Sequence, residues 1–109
     1  MKPVVLVRPH PAALLRVAAR AVGCTAAALR KPDRTAHAAF ARAVAMAILS
    51  ARGRLTHPEI GRLLHRHRST VTHDLQALRD LCETDLSAAR QVSRAAFRSA
   101  AALPSSSAP

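Results

Sequence analysis

The chain has 109 residues, which suits one small domain; half are hydrophobic but only 2% are aromatic, so a core must be built from Leu, Val, Ile and Ala, with Phe40 and Phe97 its only rings. A formal net charge of +11, nearly all of it Arg with Lys only at positions 2 and 31, points to nucleic acid as the leading partner, with an anionic membrane surface or an acidic protein behind it. No apolar run approaches transmembrane length, and the Val4 to Val7 run, broken by Arg8 and Pro9, is too short for a secretory leader, so neither a spanning helix nor a signal peptide is expected.

In chain order, residues 1–10 read as an extended N-terminal arm bracketed by Pro3 and Pro9, able to pack as an arm or as an edge strand in an oligomer. The first thirty-two residues lack acids and are rich in Arg and Ala, as transit peptides are, but they also carry a helix pattern and are assigned to the domain. A first helix is predicted from Pro11 to Val22, with Leu14, Leu15, Ala18, Ala21 and Val22 inward. Gly23 suits a left-handed stop. Thr25 caps a short second helix, Ala26 to about Leu29.

The next five residues, Arg30, Lys31, Pro32, Asp33 and Arg34, form a basic loop. Pro32 forbids a continuous helix and biases Lys31 toward extended geometry. Three cations ahead of a helix suit flanking phosphates or an Arg in a minor groove; an ordinary charged linker is the alternative. Thr35 caps a third helix to about Ala51, with Ala39, Phe40, Ala43, Val44, Ala47 and Ile48 inward and Arg42 off that stripe. Being long and apolar, it is expected to be the central core helix.

The stretch from Thr56 to Leu81 reads as a helix-turn-helix. Thr56 and Glu59 form a capping box, Pro58 sits in the first turn, and Ile60, Leu63 and Leu64 share a face. A second apolar stripe follows at Val71, Leu75, Leu78 and Leu81 or Cys82, at helical spacing. Arg68, Ser69, Thr70, Thr72, His73 and Gln76 avoid this stripe. They are side chains that can pair with base edges or phosphates, at a helix start whose free N–H groups suit an anion. The second helix is expected to run to about Glu83. Thr84 then caps a last helix, Asp85 to Leu103, with Leu86, Ala89, Val92, Ala96 and Phe97 on one side. Arg90, Arg94 and Arg98 recur every four residues on a neighbouring face, either solvated or following a phosphate backbone. Residues 104–109 read as a flexible tail.

Cys24 and Cys82 are far apart and read as small core residues, a disulfide between them remaining open. Six histidines invite a metal reading. However, His65 and His67 lie in a turn crowded by Arg66 and Arg68, and a polar surface fits better than a ligand set. Neither paired carboxylates nor a nucleophile elbow accompany them, so no enzyme, cofactor or small-molecule substrate is expected.

Residues from about Val17 to Leu81 resemble the C-terminal DNA-binding domain of the bacterial replication initiator DnaA. The resemblance rests on LRKPDR, then ARAVAMAIL, then LTHPEIGRLL, then RHRSTVTHDLQAL, in that order and spacing. The family pattern is a basic loop, an R-x-x-A-M-x-L helix, S-L-P-E-I-G and G-G-R-D-H-T-T-V-x-H. The resemblance implies that Arg34 corresponds to an arginine entering the minor groove. Pro58 aligns with the family's helix-turn-helix proline, Ser69 and Thr70 with its paired threonines, His73 with its signature histidine, and Arg66 with the arginine of the turn. Two departures stand out. His65 replaces two glycines in a turn one residue shorter, and His67 and Arg68 replace the base-reading Asp and His. The target site therefore need not be the family's box. Nor does the chain contain a G-x-x-x-x-G-K-[ST] loop, so the resemblance covers the DNA reader and not the ATPase module that precedes it in initiators.

These readings combine into an all-α, compact bundle of five to six helices over residues 11–103 that contains the helix-turn-helix. Its partner is double-stranded DNA, with bases read by Arg34, Pro58, His67, Arg68, Ser69, Thr70 and His73. Phosphates are expected at Arg30, Lys31, Arg42, Arg54, Arg66, Thr72 and Gln76. Such a protein would be cytoplasmic and nucleoid-associated, with a homodimer or a larger replication or transcription complex as its candidate assemblies. The competing reading is a non-catalytic protein-interaction module with only nonspecific nucleic-acid affinity.

Overall fold

A computed structural model describes residues 10–102, and all its regular elements are helical: α1 (Pro11–Ala21), α2 (Ala26–Arg30), α3 (Ala36–Ala51), α4 (His57–Leu64), α5 (Arg68–Thr84) and α6 (Leu86–Ala102). The all-α bundle expected from the sequence is what the chain forms. The expected arm, apart from His10, and the expected tail lie outside the described residues.

Local chemistry sets most of the helix ends. Thr25 accepts from the Ala28 N–H and Thr35 from the Ala38 N–H, each satisfying an orphan donor of the first turn. At α4 the capping box is complete: Thr56 Oγ1 accepts from the Glu59 N–H while the Thr56 N–H donates to Glu59 Oε1 at 3.0 Å. Gly23 follows α1 at φ +80°, the left-handed stop its position suggested. His10 caps α1 through Nδ1, a role the sequence reading did not assign. Asp85, rather than Thr84, caps α6 by accepting from the Ala88 N–H. Thr84 instead turns its hydroxyl back onto the Asp80 and Leu81 carbonyls and closes α5.

Helix α3 is central and packs against all five others. Residues 42–46, 48 and 49 are all buried, so it is enclosed nearly all round rather than along one stripe; Ala39, expected inside, is exposed. Leu14, Leu15 and Ala18 of α1 join Met46 and Leu49 of α3, Ile60 and Leu64 of α4, and Val71 and Leu78 of α5 in one cluster. Full burial of such aliphatic side chains is worth about 1.5–3 kcal/mol each. Cys24 and Cys82 pack at its edge as free thiols, with burial pushing the Cys24 thiol up from its ordinary value.

The buried face of α6 differs in part from the expectation: Val92 packs against the core as expected, and Ala89 and Ala96 are half-buried. Ala88, Ala95 and Ser99 face inward, while Leu86 and Phe97 are 66% and 77% exposed. Small side chains admit the close approach of α6 to α1 and α5; Ser99 is accommodated because its hydroxyl donates to the Ala96 carbonyl at 2.7 Å. On α5, Cys82 takes the edge position and Leu81 is left 40% exposed.

Candidate nucleic-acid interface

Helices α4 and α5 are joined by His65, Arg66 and His67, a turn tight enough to need special residues. His65 caps α4 in the left-handed region at φ 55°, with its N–H on α4. A glycine would take that conformation without strain; a histidine takes it at a cost. Gly61 is required for a different reason. The Arg66 N–H donates to the Gly61 carbonyl at 2.8 Å, and a Cβ at 61 would run into the Arg66 carbonyl oxygen. His67 then caps α5, its Nδ1 accepting from the Ser69 N–H at 3.1 Å and lying 2.7 Å from Ser69 Oγ. An accepting Nδ1 requires the proton on Nε2, so the free edge of this ring is a donor.

Near this turn, two helix C-termini meet. Both α2 and α4 leave carbonyls without intrahelical partners, and their dipole ends are negative. Three guanidinium groups answer them. Arg30, at the end of α2, donates through Nε to Leu63 O of α4 at 2.8 Å. Arg66, just past α4, reaches back: Nη2 donates to Lys31 O at 2.8 Å, and Nη1 lies 3.1–3.3 Å from Leu64 O, Arg30 O and His65 O. Arg42, from α3, donates to Leu29 O at 3.4 Å, Lys31 O at 3.3 Å and Asp33 O at 2.7 Å. Burial and the nearby Arg42 charge hold Arg66 below its ordinary value, with Asp74 acting in the opposite sense. Asp33 fixes the end of the loop by accepting from the Thr35 N–H at 2.9 Å.

The expected phosphate contacts thus divide. Arg42, expected off the inward stripe, is only 8% exposed, and its guanidinium is directed at the Leu29, Lys31 and Asp33 carbonyls rather than at solvent. Arg30 and Arg66 are half-buried and directed at carbonyls in the same way. Thr72 is engaged between His57 Nδ1, at 2.6 Å, and Arg68 O, linking α4 to α5. Gln76 donates to Asp80 along α5. Lys31 is exposed, and Arg54 occupies a left-handed position in the α3–α4 connection.

The expected base contacts are all at the surface. Arg34, Pro58, His67, Arg68, Ser69, Thr70 and His73 are exposed. Pro58, His67 and Arg68 share an open depression with His65 across the two helices. His73 Nδ1 lies 3.6 Å from Asp74 Oδ1. Sequence reasoning missed the carbonyl clamp and the His57–Thr72 link. The only local trace of the clamp was two helix ends each followed or closed by Arg. Among the described residues no three His, Cys, Asp or Glu side chains gather to hold a metal, and no helix is long and apolar enough to cross a membrane.

A family model described as the bacterial dnaA protein helix-turn-helix matches residues 11–77, more than half of the chain. No curated protein matches it. The matched stretch holds the basic loop, the carbonyl clamp and the first ten residues of α5, and the chain belongs to this DnaA C-terminal helix-turn-helix family, whose members bind double-stranded DNA.

Proposed function

We infer that the chain reads specific duplex sequences, with the start of α5 in the major groove and the 30–34 loop in the adjacent minor groove or on its phosphates. The observation that carries this reading is the clamp. Arg66 precedes α5 by two residues and holds the Arg30 and Lys31 carbonyls, so the loop and the start of α5 belong to one rigid unit. Two rigidly spaced probes can be read together only by a duplex whose grooves match that spacing. Arg68 offers the fork that pairs with guanine O6 and N7, Ser69 and Thr70 offer hydroxyls, and Arg34 suits a narrow A·T-rich minor groove. A protein of this kind acts at the nucleoid, in transcription regulation or in control of replication initiation.

Selection of bound duplexes from a random pool at about 150 mM salt tests the reading, because nonspecific binding fades as counterions compete. A defined motif is expected, with Arg68→Ala relaxing one base position and Arg34→Ala weakening narrow-groove sites most. Absence of any enriched motif, with binding that disappears as salt rises, overturns it.

A further inference from the structure

Helix α6 presents a second cationic face, apart from the groove-reading surface. It packs against α1, α3 and α5 and makes no close approach to α2 or α4. Arg90, Arg94 and Arg98 are exposed along it, and among the described residues no carboxylate forms an ion pair with them. Their spacing of four residues spreads the charge over about 12 Å of helix.

Apolar surface flanks these arginines on both sides. On one side a cleft of about 140 Å³ opens between α6, α1 and α3. Val22, Phe40 and Val44 line it along with Arg94, Arg98 and His37. On the other, Phe97 stands 77% exposed beside the same two arginines. A phosphate backbone gains nothing from such surface, whereas a peptide that places an apolar residue beside its carboxylates gains from both.

We propose that this face of α6 docks an acidic amphipathic helix of a protein partner. Carboxylates on successive turns of the partner meet Arg90, Arg94 and Arg98, one Leu-sized side chain enters the cleft, and a second covers Phe97. The charge complementarity is strong because the chain carries +11 with only six acids of its own. Seated there, the partner leaves the start of α5 and the 30–34 loop open, so one molecule engages DNA and a protein at once.

The test uses the full chain and a labelled peptide of roughly 16 residues with Leu on one helical stripe and Glu elsewhere, against a scrambled peptide of the same composition. Binding is followed by anisotropy, and the site by amide shifts. The patterned peptide is expected to bind at least about tenfold tighter than the scrambled one, with shifts at His37, Phe40 and the α6 arginines. Arg94→Glu with Arg98→Glu should abolish that binding, and Phe97→Ser should weaken it severalfold. Both are surface changes, so unchanged melting curves confirm that folding is intact. Equal binding of the two peptides, or indifference to both variants, overturns the proposal. So does a fall of about two units in the salt slope for duplex DNA in the Arg94→Glu, Arg98→Glu variant, which would make the face a phosphate track.

Discussion

The clamp makes Arg66→Ala the most informative single change. Hydrogen bonds from a charged donor contribute about 1.5–3 kcal/mol each. The bond from Nη2 to Lys31 O at 2.8 Å counts as one of these. The three Nη1 contacts at 3.1–3.3 Å share two hydrogens near solvent and count together as about one more at the low end of that range. Water replaces part of the loss at the exposed Lys31, so the expected destabilisation is about 2 kcal/mol, or a melting temperature lower by about 10 °C. Arg66→Lys should fall nearly as far, because one ammonium cannot serve both helix ends as a planar fork does. DNA affinity should drop in both variants through lost registration between loop and α5, and the Lys variant should keep the wild-type salt slope. Thermal melts and filter binding across a salt series measure both quantities. If Arg66→Ala melts like wild type while its salt slope falls by about one unit, Arg66 is a phosphate contact and the clamp argument is wrong.

Three further outcomes bear on the turn and the loop. Gly61→Ala should cost about 1–3 kcal/mol in urea denaturation, because a Cβ there meets backbone at Arg66 rather than a movable side chain; an unchanged midpoint would mean the turn relaxes freely. His65→Gly should raise stability by about 1 kcal/mol by relieving the left-handed strain, and a loss would show that the His65 ring makes a compensating contact. Asp33 is held below its ordinary carboxylate value by the Thr35 N–H and then by the Thr35 hydroxyl. Its contribution is therefore fully present above the unfolded value of 3.8 and is lost as pH falls through the lowered folded value. The stability gap between wild type and Asp33→Asn should stay constant from about pH 5 to 8 and close only below about pH 4; a gap that changes near neutrality would contradict this.

Helix boundaries were legible residue by residue wherever the deciding groups lie within about four positions of each other. Thr25, Thr35 and the Thr56–Glu59 box needed no tertiary information, and Gly23 needed only its own backbone freedom. The end of α5 was harder because Thr84 and Asp85 compete locally for the same cap, and the carboxylate wins. The orientation of α6 was only partly legible, Val92 packing on the core as expected. Its large apolar residues suggested one inward face, but a close helix approach selects Ala88, Ala95 and Ser99 and leaves Phe97 outside.

The candidate site divides along the same line. From the sequence alone came the all-α class, the helix-turn-helix and the surface position of Arg68, Ser69, Thr70 and His73, which follow from periodicity and local capping, while the family pattern and the correspondence of Arg34 came from the resemblance in motif order and spacing. Only the tertiary structure decided which arginines are engaged by backbone carbonyls and which stand exposed. Arg30, Arg42 and Arg66 look no different from Arg34 and Arg68 in the chain. Arg30 and Arg66 are drawn inward because the ends of α2 and α4, some 33–36 residues apart in sequence, bring unpaired carbonyls together in space, and Arg42 because α3 passes beneath the end of α2 and its loop. No local rule sees that convergence, since each guanidinium is claimed at least in part by acceptors from another element of the fold.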